Sequence, residues 1–256
     1  MKITTWNVNS IKARAPHVLA WLAENDVDVL CLQELKTKDE AFPLEPFQDA
    51  GYHVETFGQP TYNGVAFISK NPLTDIQKGV GHAELDIHAR MIAGTYNGVR
   101  VINLYMPNGQ DPEAPAFKFK EDWYAGVLKH LNENFTPEDK VVVCGDMNIA
   151  PTAVDVWDHD KVYGTVCYHP KEHEWLQMWF DWGLKDSFRE LYPEEKQFSW
   201  WDYRRLRFIK NEGLRIDLLL VTEPLMAKSS AVEIDRNERK KERPSDHVPV
   251  TLTLDI

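Results

Sequence analysis

Carboxylate, amide and imidazole side chains stand where apolar runs of this sequence begin or end. They are Asn7, Glu34, Asp146, Asn148, Asp217 and the neighbours Asp246 and His247. Carboxylates are hard oxygen ligands suited to Mg²⁺ or Mn²⁺, amides bind anionic groups without titrating, and a histidine beside a carboxylate is oriented for proton or charge work. The combination predicts metal-assisted hydrolysis of a phosphate ester.

Each of these residues also has an ordinary structural use. Asn7 can close a turn, Glu34 can pair with a nearby lysine, and residues 145–148 can form an Asx turn. Asp217 interrupts an apolar strand, where a carboxylate needs a partner, so a buried ion pair with Arg215 or another cation is its structural alternative. The sequence has no Walker A loop and no Gly-x-Ser-x-Gly motif, so a Ser-His-Asp mechanism lacks an identifiable nucleophile.

The strands that must position these residues are short apolar, β-branched runs. They are predicted at Lys2–Trp6, Val27–Gln33, Val65–Ser69, Arg90–Tyr96, Val99–Met106, Lys140–Cys144, Ile216–Val221 and Val248–Leu254. Helical spacing predicts helices over Ser10–Asn25, Ala114–Asn134 and Pro170–Trp182, the first with Ser10 as its N-cap. The Asn97-Gly98 pair predicts a hairpin and therefore antiparallel pairing. In a mixed sheet the start of one strand lies beside the end of its antiparallel neighbour, so the polar residues can meet at one rim.

Composition and charge narrow the class of protein. The chain has 256 residues, of which 43% are hydrophobic and 27% charged, which excludes collagen-like, disordered and disulfide-scaffold proteins. No linker or repeat divides it, so we expect one α/β domain over residues 1–256. Three cysteines without a CxxC motif predict a reducing, cytoplasmic compartment and no zinc site. The net charge of −11 argues against a polyanionic partner unless cations gather locally.

Six segments carry the candidate residues in order along the chain. They are Thr5-Trp6-Asn7-Val8-Asn9, Leu32-Gln33-Glu34-Leu35-Lys36, Tyr105-Met106-Pro107-Asn108-Gly109, Gly145-Asp146-Met147-Asn148-Ile149-Ala150, Leu214-Arg215-Ile216-Asp217-Leu218 and Pro244-Ser245-Asp246-His247-Val248-Pro249-Val250. Together they resemble the motifs of the exonuclease III family, bacterial AP endonucleases and 3′-repair enzymes of the endonuclease/exonuclease/phosphatase superfamily. The resemblance extends over nearly the whole chain. It implies a DNase I-like, four-layer α/β sandwich, in which two mixed β-sheets pack face to face with helices outside.

The resemblance also implies how a metal ion and the attacking water are held. Glu34 would be the principal ligand of Mg²⁺ or Mn²⁺, with Asn7 beside it in the metal site. Asp246 would contribute to the metal or to its water shell. Asp146 would orient or deprotonate the attacking water, and Asn148 would fix this water or a phosphate oxygen.

Four further residues are implied to hold the phosphate. His247 would contact the scissile phosphate while Asp217 holds its ring, and Tyr105 and Asn108 would bind phosphate oxygens. The implied reaction is metal-dependent hydrolysis of DNA phosphodiester or 3′-phosphate groups that leaves a 3′-OH.

Two segments that lie near these motifs in the sequence are rich in basic residues. Trp200–Arg215 and Arg236–Arg243 each hold five cations and two acids, so local charge overrides the acidic total. In the first segment Trp201 is expected to wedge between bases. The cations expected to bind substrate phosphates are Arg204, Arg205 and Arg207. A basic rim would be completed by Lys12, Arg14, Lys36 and Lys38.

The substrate is narrowed but not fixed by the sequence. Members of the resembled family that incise abasic sites often carry small residues where this chain has Cys167 and His169, so we expect a narrowed pocket that favours 3′-end processing. A phosphoinositide phosphatase or sphingomyelinase-like enzyme and a non-catalytic DNA-binding module remain alternatives. We expect a monomer in the bacterial cytoplasm, associated with the nucleoid and not with a membrane. Its expected partner is double-stranded DNA with abasic sites, nicks or 3′ ends.

Overall fold

Twelve strands form two six-stranded sheets in the computed structural model, which describes residues 1–256. The first sheet contains β1 (Lys2–Asn7), β2 (Val29–Gln33), β3 (His53–Phe57), β4 (Val65–Ser69), β11 (Ser229–Ile234) and β12 (Val250–Leu254). The second contains β5 (Thr74–Lys78), β6 (Met91–Tyr96), β7 (Val99–Tyr105), β8 (Val141–Asp146), β9 (Lys185–Asp186) and β10 (Asp217–Val221). The strand orders are β11-β12-β1-β2-β4-β3 and β5-β6-β7-β8-β10-β9. Both sheets mix parallel and antiparallel pairs, as predicted.

Three long helices cover the outer faces of the sheets: α1 (Ile11–Glu24), α3 (Pro115–Asn134) and α5 (Pro170–Trp182). The shorter helices are α2 (Leu44–Asp49), α4 (His159–Val162), α6 (Ser187–Leu191), α7 (Arg207–Lys210) and α8 (Glu223–Met226). None of the helices is both long and apolar enough to cross a membrane.

The apolar runs are nearly continuous because both faces of each sheet are buried. In β2, Val29 and Cys31 face the second sheet, whereas Leu30 and Leu32 pack with the helix α1 on the other side. This alternation follows from the two-residue period of a strand. It produces the predicted four-layer arrangement of helix, sheet, sheet and helix.

The eight predicted strands and three predicted helices are all present, with ends shifted by at most a few residues. The prediction of Ser10 as a capping side chain is wrong. Ser10 occupies the N-cap position with a φ of 91° but makes no side-chain cap hydrogen bond. Its backbone N–H instead donates to the carbonyl of Glu34, which ties the start of α1 to the end of β2.

Strand pairing brings the candidate residues to one rim of the sandwich. Asn7 pairs with Gln33 across the parallel strands β1 and β2, so Glu34 follows beside it. In the other sheet Asp146 pairs with both Tyr105 and Asp217. Thr5 pairs with Val250, which places the chain before β12 next to the end of β1. The site is therefore assembled from both sheets.

Candidate active site

The amide of Asn7 bridges the two carboxylates at the centre of the rim. Its Nδ2 donates to Oε1 of Glu34 over 2.8 Å and to Oδ2 of Asp146 over 2.9 Å. Its Oδ1 accepts from the backbone N–H of Asn9. Asn7 therefore holds the carboxylates of Glu34 and Asp146 together, and its predicted place in the metal site stays a prediction.

Asp146 and Glu34 are fixed by their backbones as well as by Asn7. The second oxygen of Asp146, Oδ1, accepts from the backbone N–H of Asn148 over 3.0 Å. Glu34 and Asn148 have φ angles of 54° and 51°, in the left-handed region that side chains other than glycine seldom adopt. Such strained residues cluster at functional sites. Both carboxylates are therefore oriented before any ligand binds.

His247 lies between two carboxylates from the other side of the site. Its Nδ1 is 2.8 Å from Oδ2 of Asp217, and its Nε2 is 3.7 Å from Oδ2 of Asp146. The backbone N–H of Asp217 donates to Oγ of Ser199 over 3.0 Å, which fixes the strand that carries the aspartate. The structure thus brings together the predicted pair of a histidine and the carboxylate that holds its ring.

The ion pair with Arg215 that was one structural alternative for Asp217 does not occur. The guanidinium of Arg215 is buried and pairs with Asp155 and Asp186, in each case with an N–O distance of 2.6 Å. A buried charge needs a partner, and Arg215 has two that do not belong to the polar rim. Asp217 is left free to bind His247.

The charges within this cluster shift the ionisation of its members. Burial raises the pKa of Asp146 to about 7, and the neighbouring carboxylates of Asp217 and Glu34 act in the same direction against His247. Burial opposes the charge on His247, but Asp217 and Asp146 outweigh it and raise the histidine pKa to about 10. At neutral pH the imidazole is therefore a cation that donates from both nitrogens, and Asp146 has the pKa of an effective general base.

The oxygen donors at the rim fit a hard divalent cation. One donor atom each from Glu34, Asp146 and His247 lies within 4.8 Å of the others. The carboxylates of Glu34 and Asp146 are the oxygen donors of this set that could hold such an ion. Carboxylate oxygens are the ligands that Mg²⁺ and Mn²⁺ prefer.

Asp246 is held by two protein donors next to the carboxylate cluster. Its Oδ1 accepts from Nδ2 of Asn9 over 2.9 Å, and its Oδ2 accepts from Nε1 of Trp200 over 3.0 Å. Asp246 is not part of the set of donor atoms that lie within 4.8 Å of one another. Its predicted contribution to the metal or to the water shell of the metal stays a prediction.

A buried lysine that sequence reasoning missed supports the phosphate-binding amides. Nδ2 of Asn108 donates to Oδ1 of Asn148 over 2.9 Å. Nζ of Lys120 donates to the backbone carbonyls of both asparagines and pairs with Glu172, and neither charged side chain is exposed. The available signal was its position on α3, three residues after Phe117 and three before Trp123 on the buried face.

Tyr105 completes the ring of groups around the carboxylates. Burial raises the pKa of its hydroxyl well above the ordinary value, and the charges of Glu34 and Asp146 act in the same direction. The hydroxyl therefore stays protonated and can donate to a phosphate oxygen.

A cavity of about 350 Å³ opens beside Asn108. Its wall includes Trp157, Cys167, Tyr168 and Trp200. Cys167 adopts a φ of 70° and places its Sγ 3.5 Å from Nδ2 of Asn108. The expectation that His169 also narrows this pocket is wrong, because its ring caps the helix α5 by accepting from the backbone N–H of Lys171.

This arrangement of two sheets and one polar rim is shared with known proteins. A model of the endonuclease/exonuclease/phosphatase family matches residues 4–247. The chain belongs to this family. It is 36% identical to the exodeoxyribonuclease III of Haemophilus influenzae, with 98% of each chain covered. As a member of the endonuclease/exonuclease/phosphatase family it also resembles solved structures over their full length.

Two of these structures of the endonuclease/exonuclease/phosphatase family are similar to the whole chain. A 3′ phosphatase from Neisseria bound to a product DNA hairpin is 42% identical, with a TM-score of 0.97 and full coverage of both chains. An AP endonuclease from Archaeoglobus fulgidus is 33% identical, with a TM-score of 0.96 and full coverage of both chains.

The prediction that Trp201 wedges between DNA bases is wrong. Trp201 is only 1% exposed, because it packs against Phe198 and Val248 in a small cluster. Its Nε1 donates to Oδ1 of Asn211 over 3.3 Å. The apolar side chains that this segment does expose are Leu206 and Ile209, at 63% and 76%.

The predicted phosphate-binding cations of the segment Trp200–Arg215 lie at the protein surface. Arg204 pairs with Asp202, and Arg207 lies beside Glu212 and over the ring of Trp157. Arg205 is exposed, in a small pocket formed with these neighbours.

The second basic run packs directly against the first. The guanidinium of Arg236 lies 4.7 Å from the ring centre of Phe208, and that of Arg239 lies 5.3 Å from it. Both basic segments therefore share one face.

Proposed function

We propose that the protein is a Mg²⁺- or Mn²⁺-dependent DNA-repair phosphodiesterase of the exonuclease III type. It hydrolyses phosphodiester or 3′-phosphate groups of DNA and leaves a 3′-OH. The observation that carries this proposal is the juxtaposition of Glu34 and Asp146, bridged by Asn7, with the cationic His247 3.7 Å from Asp146. This set supplies a metal ligand in Glu34, a base in Asp146 and a phosphate-binding cation in His247, all within one rim.

The residues divide the chemistry among them. A bound divalent ion supplies Lewis-acid stabilisation of the phosphate charge. Asp146 orients the attacking water and takes its proton, and the imidazolium of His247 donates from Nε2 to a phosphate oxygen. Asp217 keeps that ring oriented and charged. Because hydrolysis of a phosphate ester is among the slowest uncatalysed reactions, with a barrier lowered by roughly 20 kcal/mol or more, several groups must act together.

The amides and the tyrosine complete the binding of the phosphate. Asn108 and Asn148 are held by Lys120 through their backbone carbonyls, so their side chains face the site in fixed positions. Tyr105 adds a hydroxyl donor. These groups gain strength as negative charge develops on the phosphate oxygens.

Double-stranded DNA with abasic sites, nicks or 3′ ends is the proposed substrate. The two basic segments share one face through Phe208, and the first of them lines the cavity beside Asn108 with Arg204 and Arg207. Cations arranged in this way bind backbone phosphates, so DNA affinity should fall steeply with added salt.

Preference for 3′ ends over abasic sites is proposed from Cys167. Its side chain fills part of the cavity and contacts Asn108, whereas His169 caps α5. Replacing Cys167 by Gly suits its φ of 70° and widens the cavity. The ratio of abasic incision to 3′-phosphate removal should rise in Cys167→Gly and stay unchanged in His169→Asn, which can keep the cap. An abasic rate in the native protein that equals or exceeds the 3′-phosphate rate would remove the basis of this preference.

One substrate panel tests the proposed function against its competitors. It contains duplexes with an abasic site, a nick with a 3′-phosphate, a recessed 3′ end or a ribonucleotide, together with a soluble phosphoinositide. DNA cleavage that EDTA abolishes is the expected result. Hydrolysis of the phosphoinositide without DNA cleavage would establish the small-phosphoester alternative, and DNA binding without cleavage would establish a non-catalytic module.

The cellular setting is proposed from the sequence and from the relatives. We propose a single domain over residues 1–256 that acts as a monomer in the bacterial cytoplasm, associated with the nucleoid. Sedimentation of the purified protein with and without DNA tests the monomeric state.

A further inference from the structure

A second cavity borders the carboxylate cluster on the side of Glu34 and Tyr105. It has a volume of about 290 Å³ and shares no lining residue with the cavity beside Asn108. Its other walls come from the loop at residues 59–63 and from His88 and Arg90. The carboxylate site therefore lies between two separate cavities.

Arg90 is the unusual group in this wall. Its guanidinium stacks 4.6 Å from the ring centre of Tyr105, and Nη1 donates to the carbonyl of the same residue over 2.9 Å. It forms no ion pair with a carboxylate within 4 Å and its buried Nε has no hydrogen-bond partner, although the charges of Glu34 and Asp146 raise its pKa against the effect of burial. A guanidinium offers five N–H donors. Most of these donors are unused in a cation that burial partly removes from water.

The surroundings of Arg90 hold it in place without neutralising it. The backbone N–H of Ala89 donates to Oε1 of Gln59 over 3.0 Å, and Nδ2 of Asn63 donates to the same oxygen over 2.8 Å. The buried Nδ1 of His88 also lacks a partner. Burial lowers the pKa of His88, and the charge of Arg90 lowers it further. Arg90 is thus a rigid cation that faces a polar cavity.

We propose that this Arg90 pocket, formed by Gln59, Asn63, His88 and Arg90, is a second phosphate subsite. It takes a backbone phosphate next to the scissile one, so that the DNA strand crosses the carboxylate site from one cavity to the other. Glu34 and Asp146 act on Arg90 without forming an ion pair with it, and a largely buried cation gains from an anion in direct contact. A phosphate supplies that anion, and its oxygens match the fork geometry of a guanidinium. This inference rests on the proposed function, because it assigns a subsite to the same DNA strand.

Neutral phosphate analogues provide the test. A duplex with a 3′-phosphate nick is prepared as a series in which one backbone phosphate at a time, on either side of the scissile one, is a methylphosphonate. Binding and single-turnover cleavage are measured for the native protein, Arg90→Gln and Arg90→Lys. The control is Arg100→Gln, because Nε of Arg100 is also buried without a partner but lies at the opposite end of β7.

A phosphate contact predicts a coupled result. In the native protein one methylphosphonate position weakens binding about 10-fold, the scale of a charge-assisted hydrogen bond. In Arg90→Gln, binding to unmodified DNA is weaker by a similar factor, and a methylphosphonate at the same position no longer changes the affinity. The slope of log affinity against log salt concentration also falls in magnitude by about one. Arg90→Lys keeps part of the effect, and Arg100→Gln behaves like the native protein.

Three outcomes would overturn the subsite. The first is native DNA affinity in Arg90→Gln. The second is weaker DNA binding by Arg90→Gln while the methylphosphonate position that matters in the native protein keeps its effect. The third is a change in Mg²⁺ affinity with unchanged DNA binding, which would mean that Arg90 only balances the charge of the acidic cluster. If both variants misfold, the methylphosphonate series on the native protein still tests the subsite, because a series with no sensitive position beside the scissile phosphate would reject it. Absence of DNA cleavage by the native protein would instead reject the proposed function.

Discussion

Nε2 of Gln33 in β2 donates to Oδ1 of Asn103 in β7 over 2.7 Å, and this hydrogen bond joins the two sheets immediately below the site. Asn103 in turn donates from Nδ2 to the backbone carbonyls of Leu32 and Ala66 in the first sheet. Glu34 follows Gln33 directly, and Tyr105 lies two residues after Asn103. The link therefore sets the position of the first sheet's carboxylate relative to residues of the second sheet.

Replacing Asn103 with Leu should uncouple the sheets at the site. The change leaves buried polar groups unpaired, each costing about 1 to 3 kcal/mol, so the free energy of unfolding should fall by about 2 to 4 kcal/mol. Mg²⁺ affinity should weaken as well. Urea unfolding and metal titration measure both effects. Thr251→Val, which removes the hydrogen bond to Thr4 within one sheet, should cost under about 1 kcal/mol and leave Mg²⁺ affinity unchanged. Native Mg²⁺ affinity in Asn103→Leu would argue against a positioning role.

The charge of His247 should control the basic side of the pH profile. Asp217 and Asp146 raise the pKa of His247 above its ordinary value to about 10, so the cationic form persists below that pH and is lost above it. Asp217→Asn removes the largest favourable charge. Single-turnover rates should fall about 100-fold or more, and the basic limb should move to lower pH. Asp181→Asn, on the exposed end of α5, is the matched control. A basic limb that stays in place would show that Asp217 does not set the histidine charge.

Gly145 should be irreplaceable because of its neighbour in β7. A Cβ at this position would lie 1.9 Å from the backbone oxygen of Leu104, and the next residue is Asp146. Gly145→Ala should therefore displace the end of β8 and reduce the rate at least about 100-fold, consistent with the effect of a 1 Å misplacement. Gly98→Ala also has a positive φ but meets nothing within 4 Å, so it should keep most of the activity. Equal rates for the two variants would contradict this reason for the glycine.

Exposed apolar residues, and not the buried Trp201, should wedge between DNA bases. Leu206→Ala and Ile209→Ala should each weaken binding to nicked or abasic duplexes several-fold without changing the unfolding midpoint, because both side chains lie mostly in solvent. Ile256→Ala is the control, since this residue is 50% exposed at the chain end. Fluorescence binding measurements distinguish the three variants. If all three variants bind DNA with the same affinity, neither Leu206 nor Ile209 acts as a wedge.

The fold was predictable because its signals are local. A strand buried on both faces is a continuous apolar run, and the runs at β1, β2, β7 and β8 are unambiguous. The edge strands β3, β5, β9 and β11 were missed because they are rich in polar residues and only partly buried. Only pairing with a neighbour defines such strands.

The sequence predicted which residues form the candidate site, but not every contact between them. Residue type and strand ends indicated Glu34, Asp146 and His247, which the fold brings together. Periodicity could not decide between the adjacent tryptophans, of which Trp200 binds Asp246 and Trp201 packs in the core. Nor could it show that Asn7 donates to the carboxylates. These contacts join residues far apart in sequence.

The most direct test of the proposed hydrolysis compares the native protein with Asp146→Asn on a nicked duplex that carries a 3′-phosphate. Single-turnover phosphate release and DNA affinity are measured with Mg²⁺ and with EDTA. We expect rapid release that EDTA abolishes, and less than about one tenth of the rate in Asp146→Asn with DNA affinity largely kept. Release in EDTA, or a rate in Asp146→Asn above about one tenth of native, would contradict the assigned roles.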